Sequence, residues 1–209
     1  MYYDYRRSRD MAWDILLREQ VLELPVKISC LCEHEGALLI NYERGAEILR
    51  SLSLLDHSQK TDGFTLSLDG RYIIFYRSTC PAPRIRFTLA HELGHIRLGH
   101  IPHSKNSVTI GSGKAEMDDS PMERAANLFA SRLLAPSCVL WGIGVSTADE
   151  IMDLCGISRQ AAEFRLSRLL KLYEREEQFQ TKHGHGCFLQ SPLERQVYEQ
   201  FRPYIKRNS

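Results

Sequence analysis

The pentad His91-Glu92-Leu93-Gly94-His95 constrains this chain more than any other stretch. On an α-helix, residues four apart share a face, so His91 and His95 can aim their ring nitrogens at one ion. Glu92 lies about 100° around the same helix, beside that point rather than on it, where a base acting on water is needed. With eight histidines in 209 residues, random placement yields roughly 0.02 such pentads per chain of this composition. A buried helix whose histidines are satisfied by ordinary hydrogen bonds leaves the spacing and Glu92 unexplained. A catalytic zinc site takes three protein ligands, so the fold has to return a third ligand to this helix from elsewhere.

The flanks predict the helix. Leu89, Leu93 and Ile96 recur at helical spacing, and Phe87 sits one turn before His91. Pro81 and Pro83 mark the start, Gly99 with Pro102 the stop. Three residues compete as third ligand. His100 and His103 follow the pentad, but Gly99 and His100 are out of register with the H-E-x-x-H-x-x-G-x-x-H pattern. In a continued helix His100 points about 180° from His91. Glu123 opens an apolar-periodic segment that runs to Pro136, with Asp118, Asp119, Ser120 and Pro121 as start signals before it. On the first turn of a second helix its carboxylate can reach the ion; otherwise it is a helix-dipole residue worth a few tenths of a kcal/mol. Asn127, four residues on, shares its face and suits a hydrogen bond to a ligand histidine.

Arg86-Phe-Thr-Leu-Ala-His-Glu-Leu-Gly-His95, followed by Glu123-x-x-Ala-Asn-x-Phe-Ala-x-x-Leu-Leu-x-Pro136, resembles the ImmA/IrrE family of metallo-endopeptidases, over roughly residues 20 to 170. The resemblance implies that His91, His95 and Glu123 bind zinc and that Glu92 is the catalytic residue. It also implies a protein substrate, since members of that family commonly stop a repressor from acting on DNA by cutting it, often in phages and integrative elements. Ala135 departs from the methionine usual before the closing proline, at a packing position.

Composition excludes several other classes. The net charge of +1 gives no global pull towards nucleic acid or an anionic membrane. No apolar run approaches the ~18 residues of a membrane span, and the first residues are not followed by the apolar stretch of a secretion signal. Six cysteines are scattered without a Cys-x-x-Cys pair, which fits reduced thiols in a cytoplasmic protein.

The expected fold is α+β. Residues 1–140 read as a mostly helical zinc-peptidase domain with a small sheet beside the pentad helix, and 141–209 as a helix-turn-helix-like helical segment with a tail. Helices are expected over 8–24, from Pro25 to His34 and from Glu43 to Leu55, with a strand over 37–42. Gly63 to Leu68 and Arg71 to Arg77 read as a hairpin around Asp69-Gly70. Residues 101–122, rich in glycine and serine, are expected to be a mobile loop bordering the cleft. From Thr147 onward a helix, a turn at Gly156 and a second helix capped by Ser158 outline a helix-turn-helix. Over residues 146–170 three arginines face four carboxylates, opposite to the basic face of a DNA reader, so packing or substrate docking is expected there. His183, His185 and Cys187 read as an incidental polar stretch, and a last helix is expected from Pro192 to Ile205.

Taken together, these features predict a zinc-dependent endopeptidase that cuts a regulatory protein, with a helix-turn-helix repressor as partner and neither DNA nor a membrane. Glu92 then takes a proton from attacking water and hands it to the departing amine. His103, Tyr72 and Tyr76 are candidates for a further donor to the oxyanion, which the sequence alone does not locate. The competing class is a non-catalytic regulator that binds DNA or a partner through residues 147–172 and holds a metal for structure only.

Overall fold

The computed structural model describes residues 2–68, 70–102, 109–110, 120–183, 189 and 191–209. Among them the chain forms, in order, α1 (Tyr2–Arg18), α2 (Ile28–His34), β1 (Ala37–Asn41), α3 (Ala46–Ser51), α4 (Leu55–Lys60), β2 (Gly63–Leu68), β3 (Arg71–Tyr76) and α5 (Ala82–Arg97). Then follow β4 (Thr109–Ile110), α6 (Pro121–Leu134), α7 (Ser137–Ile143), α8 (Ala148–Cys155), α9 (Arg159–His183) and α10 (Pro192–Asn208). The architecture is α+β and mostly helical, as the sequence implies. Two compact units divide it: the chain up to Met11 with Lys27–Ala130, and Ala12–Val26 with Ser131–Ser209. The divisions fall inside α1 and α6.

The first unit is organised by a sheet of order β1-β3-β2-β4. β1 runs parallel to β3, β2 is antiparallel to β3, and β4 pairs with β2 at Leu66 and Ser67. Successive side chains of a strand point to opposite faces. Phe64 and Leu66 stand opposite Phe75 and Ile73, and with Tyr42, Leu49 and Leu54 they form an apolar core on one face. Thr65 and Ser67 point to the other face, yet both are fully buried, because α5 packs there. Alternation in β2 therefore separates an apolar layer from a buried polar one, not core from water.

The hairpin expected around Asp69-Gly70 is present, with Gly70 at φ +73°; Asp69 lies outside the described residues. The single helix expected over 43–55 is corrected to two short ones, α3 and α4. Ser53 adopts φ +58° and the Leu54 amide bonds the Leu49 carbonyl at 2.7 Å, a turn that drops both leucines into the core. Most of the expected loop, residues 103–108 and 111–119, lies outside the described residues.

In the second unit α10 packs on α7 through Trp141 and Tyr198, whose ring centroids are 5.7 Å apart. Gln200 donates to the carbonyls of Leu16 and Val21 at 2.8 Å each, tying α10 to the last turn of α1 and the segment that follows it. α7 went unforeseen, since proline at 136 reads as a stop when it is also a helix start. Proline fixes the backbone angle required just before a first turn. Thr147 and Glu150 form a capping box at α8, Gly156 closes it at φ +62°, and the Ser158 hydroxyl accepts from the Ala161 amide. The sequence outline of helix, glycine turn and helix is thus present. Arg165 is not on a readout face: it is 2% exposed and donates to the Ala135 carbonyl at 2.8 Å. Among the described residues one segment, Pro121–Ile143, has the length and mean hydropathy of a membrane span, although Glu123, Arg124 and Arg132 interrupt it and leave no continuous apolar run. Of that window 67% is buried in the protein, and Pro136 breaks it into two helices.

Candidate metal centre

Two helices build the site. α5 places His91 and His95 on one face, with His91 packed one turn beyond Phe87. α6 meets this helix at Gly94, where a Cβ would come within 3.0 Å of the Phe129 ring and 3.3 Å of the Ala126 backbone. Glycine at the fourth position of the pentad thus lets the second helix pass at a distance where a side chain would need its neighbours to shift by a few tenths of an ångström. At that separation Glu123, on the first turn of α6, reaches back to both histidines. Its own turn is capped by the Ser120 hydroxyl, which accepts from the Glu123 amide at 3.2 Å. Asp118 and Asp119 lie outside the described residues.

The Glu123 carboxylate sits 3.0 Å from His91 Nε2 and 3.2 Å from His95 Nε2, and the two Nε2 atoms are 3.0 Å apart. One ligand atom from each residue lies within 4.8 Å of the others. His95 is 1% exposed and Glu123 6%. The outer ring nitrogens are engaged too. His91 Nδ1 meets Asn127 Oδ1 at 2.9 Å, as its position four residues after Glu123 suggests. An amide oxygen only accepts, so His91 carries a proton on Nδ1, which leaves Nε2 as the ring atom turned to Glu123.

The same convergence appears in the electrostatics. Burial pulls the His91 pKa down, but the hydrogen bond to Glu123 and the charges of Glu92 and Glu123 outweigh it and leave the pKa raised. Burial pushes Glu123 up, but its bonds from His91 and His95 hold it well below the usual carboxylate range. Both shifts express a site that favours positive charge at its centre. Two imidazole lone pairs and a carboxylate, buried and aimed together, suit a divalent cation of zinc's ligand preference.

Glu92 stands beside this group on α5 and is 2% exposed. The Thr65 hydroxyl of β2 donates to its Oε2 at 2.7 Å. Thr65 was missed from sequence, although β2 alternation already put it on the face opposite the apolar core. His100 lies just beyond the stop that Gly99 marks in the sequence. α5 does not continue: Gly99 adopts φ +74° and the His100 amide bonds the His95 carbonyl at 2.9 Å, which folds the chain back. His100 Nδ1 thereby lies 3.1 Å from His95 Nδ1, on the side of that ring away from Glu123. His103 is outside the described residues. The Tyr72 hydroxyl, an expected oxyanion donor, instead donates to the Ile101 carbonyl at 3.2 Å.

A family model, Peptidase_M78, described as the IrrE N-terminal-like domain, matches residues 48–167. No curated protein and no solved structure matches the chain.

Proposed function

The chain belongs to the Peptidase_M78 family of IrrE N-terminal-like metallopeptidases, and on that premise we propose that it is a zinc-dependent endopeptidase acting on a regulatory protein. His91, His95 and Glu123 hold the ion in this reading. The observation that carries it is the convergence of two Nε2 atoms and one carboxylate within 4.8 Å of one another, with His95 and Glu123 buried and His91 partly so. Uncompensated, three such acceptors facing each other in a desolvated place cost stability. A zinc ion, when bound, supplies Lewis acidity that polarises a peptide carbonyl and acidifies water.

The remaining work falls to the chain's own side chains. Glu92 takes the proton of the attacking water at the oxygen that Thr65 leaves free, and returns it to the departing amine. The bond from Thr65 keeps the other carboxylate oxygen turned into the sheet, so the base has one orientation. Asn127 holds the His91 ring with its Nε2 inward. The substrate class we favour is a helix-turn-helix repressor, in the cytoplasm, without a DNA or membrane partner. Its support is the family together with the buried role of Arg165, which removes one cation from the face a duplex would need.

The test is to incubate the zinc-loaded protein with helix-turn-helix repressors encoded beside its own gene, with and without chelator. The expected result is a single cut that chelator abolishes. Cleavage unaffected by chelator, or no cut in any such repressor while the protein binds duplex DNA in a salt-dependent way, overturns the proposal.

A further inference from the structure

We propose that His100 is a positioning residue for the metal centre: its Nδ1 accepts the proton of His95 Nδ1 and so fixes which nitrogen of His95 faces the ion. This rests on the metal reading given above. His95 Nε2 lies 3.2 Å from Glu123 and 3.0 Å from His91 Nε2, so Nε2 is the atom that turns to the centre. A neutral imidazole that lends Nε2 to a metal carries its proton on Nδ1. That proton needs an acceptor, because the ring is 1% exposed. His100 Nδ1 stands 3.1 Å away with the two rings edge to face, 70° between planes and 5.0 Å between centroids. The lone pair of His100 therefore faces His95, and its own proton resides on Nε2.

The backbone is built to hold this pairing. The left-handed turn at Gly99 reverses the chain, and the His100 amide is anchored on the carbonyl of the same His95 at 2.9 Å. Two bonds, one main-chain and one ring-to-ring, thus tie His100 to a single partner. Arg7 donates to the Leu98 carbonyl at 2.9 Å and holds the end of the helix one residue before the turn. The two ligand histidines are consequently oriented by different chemistry: His91 by the amide oxygen of Asn127 from the facing helix, His95 by an imidazole from its own chain end. His100 is not a ligand, because it touches the ring on the side away from Glu123.

The experiment compares the full-length wild type with His100→Phe and His100→Gln, each checked by circular dichroism for a folded state. Zinc affinity is measured by competition with a chromogenic chelator. Phenylalanine fills the space without an acceptor, and zinc affinity should fall about 10- to 100-fold. Glutamine offers a carbonyl oxygen and should stay within about threefold of wild type. In zinc-loaded protein labelled with ¹⁵N-histidine, one downfield proton should couple to the δ1 nitrogens of both rings, and it should vanish in His100→Phe. Unchanged affinity in His100→Phe overturns the assignment, as do equal losses in both variants or a His95 ring protonated at Nε2. A folded wild type that binds no zinc overturns the metal reading itself; a wild type that binds zinc but is indifferent to residue 100 overturns this inference alone.

Discussion

α5 with α6, and α8 with α9, are built from similar local signals and end up with opposite polarity. α5 and α8 both close on a glycine with positive φ, at Gly99 and Gly156, and a polar residue follows each turn. In the first pair the polar side chains are inside: Glu92, His95 and Glu123 are each 6% exposed or less, and they face one another. In the second pair the charges are outside. Arg159 pairs with Asp149 in solvent, and an exposed pair of that kind contributes about 0–1 kcal/mol. Among the described residues the one buried cation there, Arg165, is bonded to the Ala135 carbonyl and has a structural task. Helix outlines are shared by many folds. Two imidazoles and a carboxylate buried against one another are not, since such groups persist only where protons or a metal ion offset their desolvation.

The sharpest way to break this contrast is Glu92→Gln. Turnover on a cleavable repressor should fall about 10²–10⁴-fold while zinc still binds one to one. A variant that cuts at the wild-type rate removes Glu92 from the chemistry and leaves the first pair with no more claim to activity than the second. Arg165→Met is the complementary change. It strands the Ala135 carbonyl and should lower stability by about 1–3 kcal/mol in a denaturant titration, with zinc affinity unchanged. Duplex binding that disappears with this substitution, in a protein still folded, would restore a readout role to α9.

These two residues also show what the sequence could and could not convey. Periodicity and caps located α5, α6, α8, α9 and the hairpin, because those signals are local and each helix end carries its own chemistry, as at Ser120 and Thr147. His91 and His95 were legible from their spacing; Glu123 was one of three candidates on spacing and was singled out by the family resemblance, with Asn127 following from its position four residues later. Thr65 was not, because its role depends on which face of the sheet α5 covers, and alternation alone reads a polar strand face as solvent. The contact of His100 with His95 was out of reach for a related reason. Counting 100° per residue assumes the helix goes on, whereas Gly99 reverses the chain. The break between α3 and α4 likewise follows from core packing, which no window of local sequence contains.

Thr65→Val gives a smaller effect that refines the buried side of the comparison. Zinc affinity should hold, and turnover should drop about tenfold as Glu92 loses a hydrogen bond of the kind worth about 1.5–3 kcal/mol. Thr65→Ser should recover most of it, since serine keeps the hydroxyl. Equal turnover in all three proteins would mean that the bond packs β2 against α5 without orienting the base.

The smallest effect is one of pH, and it separates a metal site from an ordinary buried ion pair. In the metal-free protein His91 has a raised pKa, so the stability it contributes is present below its ordinary value of 6.5 and is lost as pH rises through the folded pKa. Glu123 has a lowered pKa, so its contribution is present above its ordinary 4.5 and is lost only in stronger acid. Metal-free protein should therefore be most stable between those two values. Zinc requires the histidines neutral and competes with the same proton. The rise in Tm on adding zinc should then be least near pH 5.5 and grow towards pH 8, with affinity changing less than tenfold per pH unit for one displaced proton. A zinc-induced rise that is flat across this range would mean the ion sits on groups other than His91 and His95. The buried acceptors of α5 and α6 would then be satisfied by protons alone, a structural arrangement with no more chemistry than Arg165 on its carbonyl.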